Sequence, residues 1–321
     1  MLATPLASSI RKTHPQAEIH WLVFASTADI LKNNSAADHV ICMPTEGGLI
    51  KLLTLVSKIF QRYDCAISVQ AGDRPSLLAR FGGRKAYTFS GGSRGSRLRD
   101  RLFTSVVTAD PRDHQIDRVL SLARPVGLSI EARLLYPTEA GQLPAEIDKP
   151  YVVFHPGAAF RYKQWNKNAW RNLASKFLES GYLVAVTGGP DDEEREYLDD
   201  LFINLGVIRL DGRLSWSELA NLLGRAKYFV GVDTSVTHLA AAVGTLGLAV
   251  FGPTDPAIWR PRGNTSAETI TVIQNDLPCV PCQQEGCERH IGSYARCLDE
   301  LPSDKIWSRV QLDLQRHGNP Q

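Results

Sequence analysis

Long apolar runs are missing from this chain of 321 residues. Its longest uncharged apolar stretch, Leu239 to Phe251, has 13 residues and is broken by Gly244 and Gly247, whereas a helix needs about 20 to cross a bilayer. The amino terminus lacks the charged, apolar and small-residue regions of a secretory signal, so the expected location is cytoplasmic. An excess of one charge is missing too. Lys and Arg number 36 against 34 Asp and Glu, a formal net charge of +2. With no basic stripe interleaved with aromatics, nucleic acid is not expected as a partner. No G-x-G-x-x-G follows a strand-like run, which argues against a dehydrogenase or epimerase of Rossmann type. Solenoid repeats and low-complexity tracts are likewise absent.

What remains is the composition of a soluble globular protein, 43% hydrophobic and 22% charged, with length for two domains. In the first half, helical spacing at Leu6 to Arg11, Ala28 to Asn33, Leu49 to Gln61 and Pro75 to Phe81 alternates with short apolar runs. Those runs are Glu18 to Phe24, His39 to Cys42, Cys65 to Val69 and Ala86 to Phe89. Helices alternating with strands predict an α/β fold on a parallel sheet. Pro137, Gly141, Pro144 and Pro150 mark a linker, which separates a domain at 1–135 from one at 151–302, followed by a terminal helix and tail at 303–321. The second domain alternates more cleanly, with strands at Tyr151 to Phe154, Leu183 to Thr187, Val207 to Leu210, Tyr228 to Val232 and Leu248 to Phe251.

The stretch Tyr228 to Thr254, YFVGVDTSVTHLAAAVGTLGLAVFGPT, carries the densest chemical signal. A buried strand ends in Asp233-Thr234-Ser235, a helix N-cap signal. Ala240 to Ala242 are small enough for close packing on a sheet, and a second strand runs into Gly252-Pro253-Thr254. Ligands of open α/β sheets bind at the carboxyl ends of the strands, and free N–H groups at a helix start suit a phosphate. His238 lies four residues after Thr234, on the face looking toward that terminus. Two further strand-end turns join it. His155-Pro156-Gly157-Ala158-Ala159 precedes Lys163, a point charge for a phosphate. In Thr187-Gly188-Gly189-Pro190-Asp191 the aspartate is either a helix cap or an acceptor from a ribose hydroxyl. Three turns on one sheet edge, with a cation, a helix start and carboxylates, suit a nucleotide diphosphate.

From Arg74 to Arg101 there are eight Lys or Arg residues and a single Asp, with Gly82, Gly83, Gly91, Gly92 and Gly95 between them. The run reads either as a solvated face or as a mobile basic loop forming a groove for an anionic acceptor. Cys42 and Cys65 lie in apolar runs and are expected to be buried core thiols. Cys279, Cys282, Cys287 and Cys297 crowd together as C-x2-C-x4-C-x9-C. Those four either bind a structural metal through thiolates or fold a loop as reduced thiols.

The segments HPGAAFRYKQW, VTGGPDDEE, VDTSVTHLAAA, FGPTDP and CVPCQQEGC resemble those of the ADP-heptose:lipopolysaccharide heptosyltransferases, glycosyltransferase family 9. LATPLASSIRKTHPQAEIHWLV and YDCAISVQAGDRPSLLARFGGRK extend the resemblance over most of the chain, and the AGDR segment and cysteine tail are most similar to the heptosyltransferase III branch. The resemblance implies a GT-B fold: two Rossmann-like parallel-sheet domains facing a cleft, the acceptor on the first and ADP-heptose mainly on the second. It implies an inverting transfer of heptose to an inner-core lipopolysaccharide sugar at the inner-membrane surface, with no cofactor and no metal at the diphosphate. Lys163 matches the family's donor lysine and is the expected catalytic residue. Asp233, Thr234 and His238 match its phosphate motif, with Ser235 where the family usually has glycine. Asp191 falls near the ribose contact, Leu214 near the adenine, and Asp73 and Arg74 in an acceptor-side loop.

One departure stands out. The family opens with a β-strand and a Gly-Asp motif ahead of the segment matched by Leu2-Ala3-Thr4-Pro5, and here Met1 stands immediately before it. The first domain is therefore expected to lack its first strand, and the expectation is a misassigned start or a truncated chain. A general base must reach the acceptor hydroxyl; Asp73 is the nearest candidate by resemblance. The rival expectation is an impaired homologue that binds the sugar nucleotide without transferring it.

Overall fold

A computed structural model describes residues 1–44, 48–91, 98–138 and 141–317. The chain divides into two compact units, Met1–Leu135 and Tyr136–Gln321.

The first unit opens with helix α1 (Thr4–Thr13), which carries Pro5 in its first turn and Arg11 and Lys12 in its last, the placements a helix tolerates best. Its buried face holds hydroxyls as well as Leu6 and Ala7. Those hydroxyls serve the extended segment at 129–135, which joins no sheet. Ser129 N–H donates to Thr13 Oγ1 at 2.8 Å, Glu131 N–H to Ser9 Oγ at 2.9 Å and Leu135 N–H to Thr4 Oγ1 at 2.9 Å, while Ser8 Oγ donates to Arg133 O at 2.7 Å. Buried backbone groups must find partners, and here a helix face supplies them.

Strands β1 (His20–Phe24) and β2 (His39–Met43) form a two-stranded parallel sheet. Helices α2 (Gly48–Ile59) and α3 (Asp73–Gly82) flank β3 (Tyr63–Ile67), which joins β4 (Gly83–Phe89) and β5 (Ser105–Val107) in a three-stranded parallel sheet. The strands thus form two sheets where a complete Rossmann sheet would be continuous. Helix α4 (Gln115–Leu120) packs with Leu6, Ala123 and Leu128 in the core of this unit. Cys42 and Cys65 are exposed, contrary to the expectation of buried thiols. An apolar run in a strand does not say which face is covered, and these small sheets leave one face open at both positions.

In the second unit, β6 (Tyr151–His155), β7 (Leu183–Val186), β8 (Ile208–Arg209), β9 (Tyr228–Val232), β10 (Gly247–Val250) and β11 (Ile270–Ile273) form one parallel sheet in the order β11-β10-β9-β6-β7-β8. Every residue of β6, β9 and β10 is buried, as expected where helices cover both faces. Those helices are α5 (Lys167–Glu179), α6 (Asp192–Leu201), α7 (Trp216–Arg225), α8 (Ser235–Val243) and the terminal α9 (Ser303–His317). Phe154, Trp165, Trp170, Phe177 and Tyr228 fill the core, and Ile306 and Val310 of α9 close it. Tyr228 donates its hydroxyl to Asp313 Oδ2 at 2.7 Å, tying α9 to β9. None of the described helices is long and apolar enough to cross a membrane.

Candidate functional site

The strand order fixes where a ligand fits. From β6 the chain steps outward through β7 and β8, then returns to β9 on the other side of β6 and continues to β10 and β11. The switch point lies between β6 and β9, and the crevice of an open α/β sheet forms outside the carboxyl ends there. Those two ends are His155, leading into Gly157 and Lys163, and Val232, leading into Asp233 and α8.

At this point Lys163 Nζ lies 2.8 Å from Asp233 Oδ2, and Thr254 Oγ1 donates to the same oxygen at 2.7 Å. Three turns, following β6, β9 and β10, thus converge on one carboxylate. Asp233 is 7% exposed, whereas the Lys163 side chain is 26% exposed. The Gly252-Pro253-Thr254 turn is braced from β11, where Gln274 Nε2 donates to Gly252 O at 2.8 Å and to Thr254 O at 2.9 Å.

Helix α8 begins differently from its neighbours. Asn166 caps α5, Asp191 caps α6 by accepting from Glu193 N–H and Glu194 N–H, and Ser215 forms a capping box with Glu218 on α7. Thr234, the N-cap of α8, makes no side-chain cap, and its Oγ1 is buried with no hydrogen-bond partner among the described residues. The first intrahelical bond is His238 N–H to Thr234 O at 3.4 Å, so the amides of Ser235 to Thr237 have no partner within the helix. Thr237 Oγ1 donates to Val232 O and pins this turn to the strand end. Amides without an intrahelical partner at the positive end of a helix suit an anion. His238 is buried and Ser235 exposed at the helix tip.

On the β7 side the floor is built of glycines around a carboxylate that the sequence did not single out. Glu194, from the first turn of α6, accepts from Gly189 N–H at 3.0 Å. A Cβ on Gly157 would stand 1.7 Å from Glu194 Oε1, and one on Gly189 2.8 Å from Oε2, so a side chain at either position would have to displace the carboxylate. Burial pushes the Glu194 carboxyl above the ordinary glutamate range, opposed by the bond from Gly189. His155 Nδ1 lies 3.0 Å from Thr187 Oγ1 and joins the ends of β6 and β7. Burial lowers the His155 pKa to about 4, so the ring is neutral at pH 7.

Of the residues expected at this edge, Lys163, Asp233, Thr234, Ser235 and His238 come together around the start of α8. Asp191 serves as the cap of α6, and Leu214 is half-buried just ahead of the cap of α7. In the first unit, Asp73 opens α3 and pairs with Arg99 Nη1 at 2.8 Å, while Arg99 Nη2 meets Asp100 Oδ1 at 2.8 Å. Arg74 is exposed beside Asp73. Of the basic run, residues 92–97 lie outside the described residues. Cys279, Cys282, Cys287 and Cys297 are all free thiols. Among the described residues, the ligand atoms close enough to share one ion belong to Glu18, His20 and His39 instead.

A family model, glycosyltransferase family 9 (heptosyltransferase), matches residues 53–291. Lipopolysaccharide heptosyltransferase 3 of Escherichia coli K12 is 26% identical over 280 residues, 81% of each chain. The structure of E. coli ADP-heptose lipopolysaccharide heptosyltransferase II superposes with a TM-score of 0.75 at 20% identity, over 99% of this chain and 96% of that one. E. coli heptosyltransferase WaaC with ADP gives a TM-score of 0.73 at 20% identity, over 97% and 95% of the two chains. At such identities the structural likeness speaks to the fold, which is the GT-B fold of those enzymes.

Proposed function

The chain belongs to glycosyltransferase family 9 (heptosyltransferase), and from that premise we propose that it moves a heptose from ADP-heptose to an inner-core sugar of lipopolysaccharide with inversion at the anomeric carbon. An acceptor hydroxyl attacks that carbon from the face opposite the diphosphate. The anomeric C–O bond breaks, its electrons leave with ADP, and the hydroxyl proton passes to a base. The observation that carries this assignment is the convergence of Lys163, Asp233 and the uncapped start of α8 at the switch point.

Charge accumulates on the departing phosphate oxygen as the bond breaks. An ammonium and preorganised amides directed at that oxygen lower the barrier, with no reorganisation at the moment of reaction. Asp233 aims the Lys163 ammonium and is itself held by Thr254. Lys163 and α8 supply the positive charge the diphosphate requires, so the assignment calls for no metal there. Glu194, beside Gly157 and Gly189, is placed to accept from a ribose hydroxyl, a role the resemblance gives to Asp191; Leu214 lies toward the adenine. The cysteine cluster is assigned a structural role, with or without a metal.

Asp73 and Arg74 are the acceptor-side candidates. The acceptor is anchored in a membrane, and the first unit offers a surface suited to it: Ile50, Leu53 and Phe60 are 78%, 57% and 59% exposed on and just after α2, beside exposed Lys51 and Lys58. An exposed apolar stripe flanked by lysines suits an anionic lipid surface. Incubation with ADP-heptose and truncated lipopolysaccharide tests the whole assignment, the expected result being ADP release that depends on the acceptor. A second reading, a sugar-nucleotide binder without transfer, is favoured by one observation: the Asp73 carboxylate is held in an ion pair with Arg99. ADP-heptose binding with no acceptor-dependent ADP release would select it.

A further inference from the structure

In the first unit, away from the nucleotide edge, two imidazoles and a carboxylate converge on one point. Glu18 Oε1 lies 2.7 Å from His39 Nε2 and 3.0 Å from His20 Nε2, and the two rings are tilted with centroids 4.5 Å apart. The fold explains the meeting. His20 and His39 are register partners at the first positions of β1 and β2, and neighbouring strands lie about 4.8 Å apart with paired side chains on the same face. Glu18 stands two residues before His20, which places it on that face as well.

The backbone beneath them is locked. Asp38 Oδ2 accepts from Ile19 N–H and from Arg11 Nη2, each at 2.6 Å, while Asp38 and His39 N–H both donate to Ile19 O. His20 is oriented from behind as well, its Nδ1 lying 3.3 Å from the Tyr63 hydroxyl on β3. The tautomer with its proton on Nδ1 donates to that oxygen and leaves the Nε2 lone pair for an ion, the outer-shell arrangement of a metal-binding histidine.

We propose that Glu18, His20 and His39 bind one divalent transition-metal ion of the zinc type, which clips β1 to β2 at their amino-terminal ends. Two imidazoles and a carboxylate match the preferences of Zn2+, and of Co2+ as its spectroscopic substitute. The carboxylate takes the place of the shared acceptor, the ion replaces the protons between it and the two Nε2 atoms, and water completes the coordination. The amino ends of parallel strands lie opposite the edge where ligands of such sheets bind, so the ion serves the scaffold and not the transfer.

The test is titration of the metal-stripped full-length chain with Co2+, followed by absorption spectroscopy and by the melting temperature with and without Zn2+. One equivalent is expected to bind with d–d bands and no thiolate charge-transfer band, and saturating Zn2+ is expected to raise the melting temperature. His39→Ala, at an exposed position, should abolish both effects. Tyr63→Phe should weaken binding about 10-fold, the lower end for an outer-shell partner. Failure to bind Co2+ at micromolar concentrations would overturn the proposal. So would Co2+ binding and a Zn2+-induced rise in melting temperature that are unchanged in His39→Ala, because the ion would then sit elsewhere. Glycosyl transfer is not measured, so either outcome is independent of the proposed enzymatic activity.

Discussion

Removing the Lys163 side chain separates two roles that its geometry combines. In the free protein the ammonium neutralises Asp233, which is 7% exposed and keeps only the Thr254 hydroxyl when Lys163 is gone. Leaving one partner of a fully buried pair unpaired costs about 3–5 kcal/mol. Lys163 is about a quarter exposed and Asp233 retains one donor, so the loss of stability in Lys163→Ala should be only about 1–2 kcal/mol. The loss in turnover should be larger. A group aimed at charge developing in the transition state contributes about 10²–10³ in kcat. Single-turnover measurement of ADP release, with donor and acceptor saturating, reads the chemical step, and urea unfolding reads stability. Asp233→Asn makes the comparison sharper. If the aspartate acts by aiming the ammonium, its effect on turnover should largely vanish in a Lys163→Ala background, a coupling that a double-mutant cycle measures. Turnover of Lys163→Ala within about threefold of wild type would refute the reasoning, because an electrostatic role of that size cannot be lost silently.

Other consequences follow from the same edge and its supports. His155 is neutral when folded, with a pKa of about 4 against an ordinary 6.5. The unfolded chain therefore binds the extra proton between those values and stability falls as the pH drops through that window, by about 2 kcal/mol from pH 7 to pH 5. His155→Gln should flatten this part of the stability profile, as urea unfolding at both pH values would reveal; an unchanged slope would contradict the burial argument. Gly157→Ala pushes a methyl into Glu194 Oε1, which should cost about 1–2 kcal/mol through the lost bond to Gly189 and raise the KM for the donor. Glu194→Ala loses the same bond, so Gly157→Ala added to it should cost little further stability while the KM stays raised. Ser215→Ala removes half of the capping box on α7 and should lower stability by about 1 kcal/mol with activity intact.

Much of the second unit was legible in the sequence because its strands are buried on both faces and stand out as continuous apolar runs between capped helices. Asp191 was open to two readings, a helix cap or a ribose contact, and the structure places it as the cap of α6. Asp233-Thr234-Ser235 announced the start of α8; Thr234 stands at the N-cap as that signal implied but makes no side-chain cap. Strand β11 escaped notice: three apolar residues and Thr271 at Ile270–Ile273 follow a polar turn and carry little periodicity. Gln274, at its end, escaped with it. Glu194 was hidden among the acidic residues of a helix start, and only the contact with Gly157 and Gly189 distinguishes it. In the first unit, local pattern located β1 to β4 but could not show that they form two sheets, since strand pairing depends on long-range contacts. Those contacts set which side chains are covered, and so the exposure of Cys42 and Cys65 was misjudged.

The central claim is that the carboxyl edge between β6 and β9 holds the diphosphate of the donor. A crystal structure of this chain with ADP tests it most directly. The diphosphate oxygens are expected within hydrogen-bond distance of Lys163 Nζ and the amides of Ser235 and Val236, with the ribose toward Glu194. ADP bound elsewhere, with the amides at the start of α8 left to water, would contradict the account.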